Sequence, residues 1–187
     1  VAVQLKDVQK NVEYAMMIST ASGLWRYLIG DTIRFTSLIN YEIEIVGRTN
    51  NYLNSCGEHI SADNLIQAIT KVSETLKINI QEFTVSAKES PEGFCHNWYI
   101  GKESGEEYTE ETIVYLLDKY LKELNDDYAT ERKYILKNVN LKCFDSQVFY
   151  DFLKSIGKNG SQNKFPSVLK GRRQEEWEIY LKRIGLD

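Results

Sequence analysis

The spacing of apolar residues in this chain switches from every second position to a helical repeat near residue 60 and then alternates between the two. Before the switch, Val12, Tyr14, Met16 and Ile18 alternate with Glu13, Ala15 and Met17. Ile33 and Phe35 likewise alternate with Thr32, Arg34 and Thr36, and a further run covers Glu42 to Val46. A period of two is that of half-buried strands. Residues 1–11 are polar and mixed, a loop or an edge, and Ser19-Thr20-Ala21-Ser22-Gly23 reads as a turn. Residues 1–47 therefore read as a small antiparallel β unit.

After the switch a helix begins at Ser61, a residue suited to capping, with Asp63 in the first turn. Leu65, Ile66, Ile69, Val72 and Leu76 share its apolar face. Strand alternation returns in Ile80 to Lys88 and in Phe94, His96, Trp98 and Ile100, with the turn Ser90-Pro91-Glu92-Gly93 between them. That is a β-hairpin with His96 on the face of Phe94 and Trp98, where it reads as a satisfied core histidine. Thr109 caps the next helix, whose stripe runs Ile113, Leu116, Leu117, Tyr120, Leu121 and Leu124. Ala129 to Tyr134 suggests a helical turn, and Ile135 to Phe144 a third strand. Asp145 caps a helix from Ser146 to Ile156 that ends at Gly157, and a final helix spans Arg172 to Ile184. The predicted fold class is α+β: a small β unit followed by a domain in which helices pack a mixed or antiparallel sheet.

Composition narrows the function classes. Hydrophobic content of 42% and charged content of 27% describe a folded, soluble chain. The net charge of −4 is spread over interspersed signs with no basic face, which argues against a nucleic-acid partner. No apolar run has the length of a membrane span. Cys56, Cys95 and Cys143 are odd in number and far apart, which fits the reducing cytoplasm better than a disulfide framework. His59 and His96 stand alone, so no metal site is expected. The chain starts at Val1 and its first strand lacks a clear beginning, so it reads as a fragment of a longer protein.

Within the β unit, Gly30-Asp31 reads as a tight turn between two strand-like runs, the glycine allowing the bend. The Asp31 carboxylate then lies at a strand edge and accepts hydrogen bonds with both oxygens, for example from a diol. From spacing alone, a turn aspartate bonding nearby backbone N–H groups is the commoner alternative.

Here the sequence resembles a known family. Trp25-Arg26-Tyr27-x-x-Gly30-Asp31 and Gly47-Arg48-Thr49-Asn50 are similar to two signatures of the adenylate-forming enzyme superfamily. The wording is nearest to the acyl-acid amido synthetases, the auxin-responsive-promoter family. Asn54-Ser55-Cys56-Gly57-Glu58-His59-Ile60, Leu124-Asn125-Asp126-Asp127-Tyr128 and Gly160-Ser161-Gln162-Asn163-Lys164-Phe165-Pro166 continue the resemblance over nearly the whole chain.

The resemblance implies that residues 1–49 end a large N-terminal adenylation domain and that residues 50–187 form a small mobile C-terminal domain, hinged near Arg48 to Asn50. It implies ATP and Mg²⁺ as cofactors, bound mainly by the absent N-terminal domain, and a small carboxylic acid and an amine as substrates. Asp31 would accept the ribose hydroxyls, with Tyr27 and Gly30 in the same nucleotide-side signature. Arg48 would bond ribose or phosphate oxygens with its fork. Lys164 would be catalytic, its point charge stabilising the negative charge that develops at phosphorus. Gly57 and Glu58 resemble a loop lining the channel of the second half-reaction, or are a plain turn. Two departures are Asn50, where the family's hinge residue is often charged, and Ser167, where an arginine often follows the proline. They keep open a second reading, a non-catalytic nucleotide- or protein-binding module with an adenylation-like fold.

Overall fold

The computed structural model describes residues 2–48, 52–102, 108–158 and 164–186. The chain divides into two compact units, Val1–Tyr52 and Leu53–Asp187.

The first unit is an antiparallel sheet of β1 (Glu13–Ile18), β2 (Tyr27–Ser37) and β3 (Glu42–Arg48) in that spatial order. Ile33 and Phe35 of the central strand are buried, and Tyr14 and Tyr41 pack edge-on against Phe35. Arg34, on the opposite face, bridges Glu13 of β1 at 2.9 Å and Glu44 of β3 at 3.3 Å. The Tyr52 hydroxyl donates to the other Glu13 oxygen. The reading of Gly30-Asp31 as a turn is corrected here, because both residues lie inside the single continuous strand β2.

The second unit holds α1 (Ala62–Leu76), β4 (Ile80–Ser90), β5 (Gly93–Lys102), α2 (Glu110–Leu124), α3 (Asp126–Tyr134), β6 (Leu136–Asp145), α4 (Gln147–Ser155), β7 (Val168–Leu169) and α5 (Gly171–Arg183). Its sheet has the order β6-β5-β4-β7. The β4–β5 hairpin is antiparallel, while β6 and β7 add in parallel on either side. This is the predicted α+β arrangement of helices on a mixed sheet. The two-residue β7 carries no period and went unread.

Strand alternation sorts the side chains into two cores. Val85, Trp98, Ile100 and Leu141 join the apolar faces of α1 and α2 in one core. Tyr99, Phe144 and Leu169 point the other way and join α4 and α5 around Trp177. Local chemistry sets the helix ends. Ser61 and Asn64 form a reciprocal capping box on α1. Thr109 caps α2, and Asp145 Oδ1 accepts the Gln147 N–H at the start of α4. Three details differ from expectation. Ile66 is exposed, and Ala68 fills its place on the α1 face. Ile184 lies beyond the end of α5 and is also exposed. The 129–134 turn is part of a full helix, α3, started by the Asn125 side chain, which accepts the Tyr128 N–H.

Candidate functional site

The strand β2 is interrupted where the nucleotide-side signature falls. Against β1, Ala15 pairs with Thr32 and Met17 with Leu28. Met16 alone thus faces Ile29, Gly30 and Asp31, so β2 bulges there. Gly30 takes φ of +91°, a conformation that a side chain resists. A positive φ serves a bulge as well as a turn, which is why the two are confused in a sequence. On the other side Asp31 pairs with Arg48 and Thr32 with Gly47, after which the register slips at Val46. Gly30, Asp31 and the backbone of Arg48 therefore meet at one irregular point of the sheet, with Asp31 half-buried. Tyr27 stands further along β2, opposite Ile18, and is 52% exposed. The proposed hinge residue Asn50 lies outside the described residues.

Lys164 belongs to the second unit and is exposed. The Gly160 to Asn163 part of its motif lies outside the described residues. Phe165, directly after it, is 7% exposed and inserted among Phe149, Phe152 and Trp177. The Ser167 carbonyl accepts the Val85 N–H at 3.0 Å, which leads the chain into β7. Two residues without a sequence signal are Glu82 of β4 and Tyr150 of α4. Burial raises the Glu82 carboxyl above the ordinary carboxylate range, with Tyr150 and the Lys164 charge working against that rise.

Glu58 is neither a plain turn residue nor a residue facing an open channel, since its side chain is fully buried. Leu53 and Ile60 exchange two 2.9 Å backbone hydrogen bonds, closing a loop around it. Its oxygens accept the Ser55 and Cys56 N–H groups at 2.8–2.9 Å. His96 Nε2 of β5, equally buried, lies 3.1 Å from Glu58 Oε1. Since an ionised carboxylate only accepts, Nε2 carries the proton between them. Burial pushes the Glu58 carboxyl up, but His96 and the backbone donors outweigh it and hold the group well below the usual carboxylate range. Tyr128 stacks on the His96 ring at 5.9 Å and donates its hydroxyl to Asp118 of α2. His96 is a core histidine as expected, but only Nε2 is satisfied, by a partner 38 residues away, while its buried Nδ1 has no hydrogen-bond partner among the described residues.

Cys56, Cys95 and Cys143 are free. Among the described residues no helix is long and apolar enough to cross a membrane.

Comparison with known proteins places this geometry. The model of the GH3 family central domain matches residues 1–48, and that of the GH3 family C-terminal domain matches residues 63–173. A curated relative from Arabidopsis thaliana, the indole-3-acetic acid-amido synthetase GH3.15, is 30% identical over 108 residues, covering 54% of this chain and 18% of the relative. A solved GH3.15 acyl acid amido synthetase superposes over 98% of this chain and 34% of its own, with a TM-score of 0.77 and 24% identity. A second solved structure, AtGH3.15 acyl acid amido synthetase in complex with 2,4-DB, matches 96% of this chain and 34% of its own, with a TM-score of 0.67 and 23% identity. These structural likenesses are likenesses of fold, and the chain spans about a third of the length of the solved relatives. With a family model covering more than half of its residues, this chain belongs to the GH3 family.

Proposed function

We propose that this chain is the C-terminal portion of an ATP-dependent acyl-acid amido synthetase. The observation that carries the reading is the succession of the family's central and C-terminal models along one chain, at 1–48 and 63–173. Its relative, described as an indole-3-acetic acid-amido synthetase, supports the same reaction class. In this reading residues 1–49 end the large adenylation domain and residues 50–187 are the mobile domain that partners it in the cytoplasm.

The reaction has two steps. A carboxylate oxygen of the acid attacks the α-phosphorus of ATP and pyrophosphate leaves. An amine, such as that of an amino acid, then attacks the acyl carbon, loses a proton and expels AMP. The residues of this chain suit the nucleotide. Asp31 offers a half-buried acceptor pair to the ribose diol, at a bulge that Gly30 makes possible and Arg48 flanks. Lys164 offers an exposed ammonium on an anchored backbone, fit to meet charge developing on the phosphate. Mg²⁺, when bound, would neutralise phosphate charge. Among the described residues no group of three or more His, Cys, Asp or Glu is placed to hold a metal ion.

The test is acid-dependent exchange of pyrophosphate into ATP by the full-length enzyme. Lys164→Ala should slow exchange about a hundredfold, the magnitude of losing one oriented charge from a transition state. Exchange at the parental rate would remove Lys164 from the chemistry. Asp31→Ala should raise the KM for ATP about tenfold, as loss of charge-assisted hydrogen bonds does. An unchanged KM would end the ribose assignment.

A further inference from the structure

Two adjacent residues at the junction of the units are tied to different units. Tyr52 ends the first unit and Leu53 begins the second. The Tyr52 hydroxyl donates to Glu13 Oε2 of β1 at 2.9 Å. Glu13 is itself held, because its other oxygen meets Arg34 of β2 at 2.9 Å, and Arg34 reaches Glu44 of β3 at 3.3 Å. The hydroxyl therefore bonds to a carboxylate braced across all three strands. The half-buried Tyr52, with Ala15 and Thr32, lines a cavity of about 230 Å³. Burial and the bond to Glu13 push the hydroxyl up to about 12, so it keeps its proton throughout the neutral range.

Leu53 is fixed the other way. It exchanges two 2.9 Å backbone hydrogen bonds with Ile60, and both side chains are buried in the core that holds α1 and α2. Rotation of one unit against the other needs backbone torsions that neither tie restrains. Torsions at Arg48 to Asn50, where the resemblance puts the hinge, lie upstream of Tyr52 and turn nothing beyond it while its tie holds. What remains is ψ of Tyr52 and φ of Leu53.

We propose that Tyr52 is the anchor of the interdomain linker: its hydrogen bond to Glu13 holds the linker on the β unit and confines the pivot of the mobile domain to the junction of Tyr52 and Leu53. The proposal rests on the reading of this chain as part of a two-step synthetase whose small domain turns between the steps. Two torsions define a narrow arc. Without the anchor, those of the preceding residues join them, and the orientation for the second step is found less often.

Two measurements on the full-length protein test it. Arg48 is the last residue of β3, and trypsin cuts after it when the chain there lifts from the sheet. Tyr52→Phe should speed that cut about tenfold, the effect of losing one hydrogen bond to a charged group, and should add nothing in Glu13→Ala. Mass spectrometry reads the cut as a new end at Thr49. Cleavage after Lys158 in the second unit should keep its rate in these variants. An unchanged rate after Arg48, or equal acceleration after Arg48 and Lys158, overturns the anchor. In the second measurement, Tyr52→Phe should leave acid-dependent pyrophosphate exchange at the parental rate and slow amide formation about fivefold. Parental rates in both steps, or equal slowing of both, overturn the confinement of the pivot. Should the parental protein exchange no pyrophosphate, the synthetase reading and the pivot role fall together, whatever trypsin shows. Exchange beside a silent Tyr52→Phe overturns only the pivot.

Discussion

The Glu58 carboxylate and the His96 ring meet at 3.1 Å in a part of the second unit where neither side chain has exposed surface. The pair joins the loop closed by Leu53 and Ile60 to the middle of β5. Without His96 the buried Glu58 keeps its Ser55 and Cys56 N–H donors but loses one hydrogen bond to a charged group, worth about 1.5–3 kcal/mol. His96→Ala should therefore destabilise the chain by roughly that amount in urea unfolding. A loss below about 1 kcal/mol would mean that the pair contributes little.

The same pair sets an acid limit. Glu58 is held well below the usual carboxylate range in the folded state. Its contribution to stability is complete above the unfolded value of about 4.3 and is lost as the pH falls from there toward the folded value. Glu58→Gln should be less stable at neutral pH but should lose less further stability on acidification. The check is the difference in unfolding midpoint between the two proteins from pH 6 downward, which should shrink below about pH 4.3.

Cys56 should be a sluggish nucleophile. Burial, its hydrogen bond to Glu58 and the charges of Glu58 and Glu131 push its thiol up to about 12. That leaves about a thousandfold less thiolate than in an unperturbed cysteine. Alkylation by iodoacetamide at pH 8, followed by mass spectrometry, should be slow at Cys56 and accelerated by Glu58→Gln. Cys143, pushed up to about 11 by burial and Glu110, has no link to Glu58 and should not respond. Acceleration at both sites would point to general loosening instead.

Asp118 is the junction between α2 and α3. It accepts from Arg132 Nε at 2.6 Å, the Tyr128 hydroxyl at 2.8 Å and Lys122 Nζ at 2.5 Å. Arg132 also donates to the Leu136 and Lys137 carbonyls, tying α3 to the entry of β6. Arg132→Ala should cost about 2 kcal/mol, since it strands a partly buried carboxylate. Lys122→Ala, at an exposed end of the junction, should cost at most about 0.5 kcal/mol. Equal losses would remove the distinction drawn between the two cations.

At Gly30, φ of +91° makes any side chain strained. Gly30→Val should cost about 1–2 kcal/mol in thermal melts of the chain and, under the ribose role proposed for Asp31, should weaken ATP binding by the full-length protein. An unaltered melt would show that the bulge tolerates substitution.

What was legible in the sequence follows the range of the physics involved. The burial of His96 could be read from its alternation with Phe94 and Trp98, because a strand repeats locally. Its partner Glu58 could not, because no local rule relates a loop to a strand 38 residues away. Ser61 and Thr109 announced their helices, since a cap acts over three residues. Gly30 showed that an unusual backbone conformation was needed but not which kind, so a bulge was taken for a turn. Ile66 was misplaced because, at the margin of a helical stripe, packing rather than period decides exposure. Phe165 and Trp177 meet for the same long-range reason, since no local rule relates a loop residue to a helix that begins six positions later.

The packing of Phe165 against Trp177 ties the last helix to the backbone beside Lys164. Trp177 sits 13 residues past Lys164, yet it is the anvil on which Phe165 rests. Clipping or fusing the C-terminal segment is therefore a way to loosen the backbone beside Lys164 from a distance.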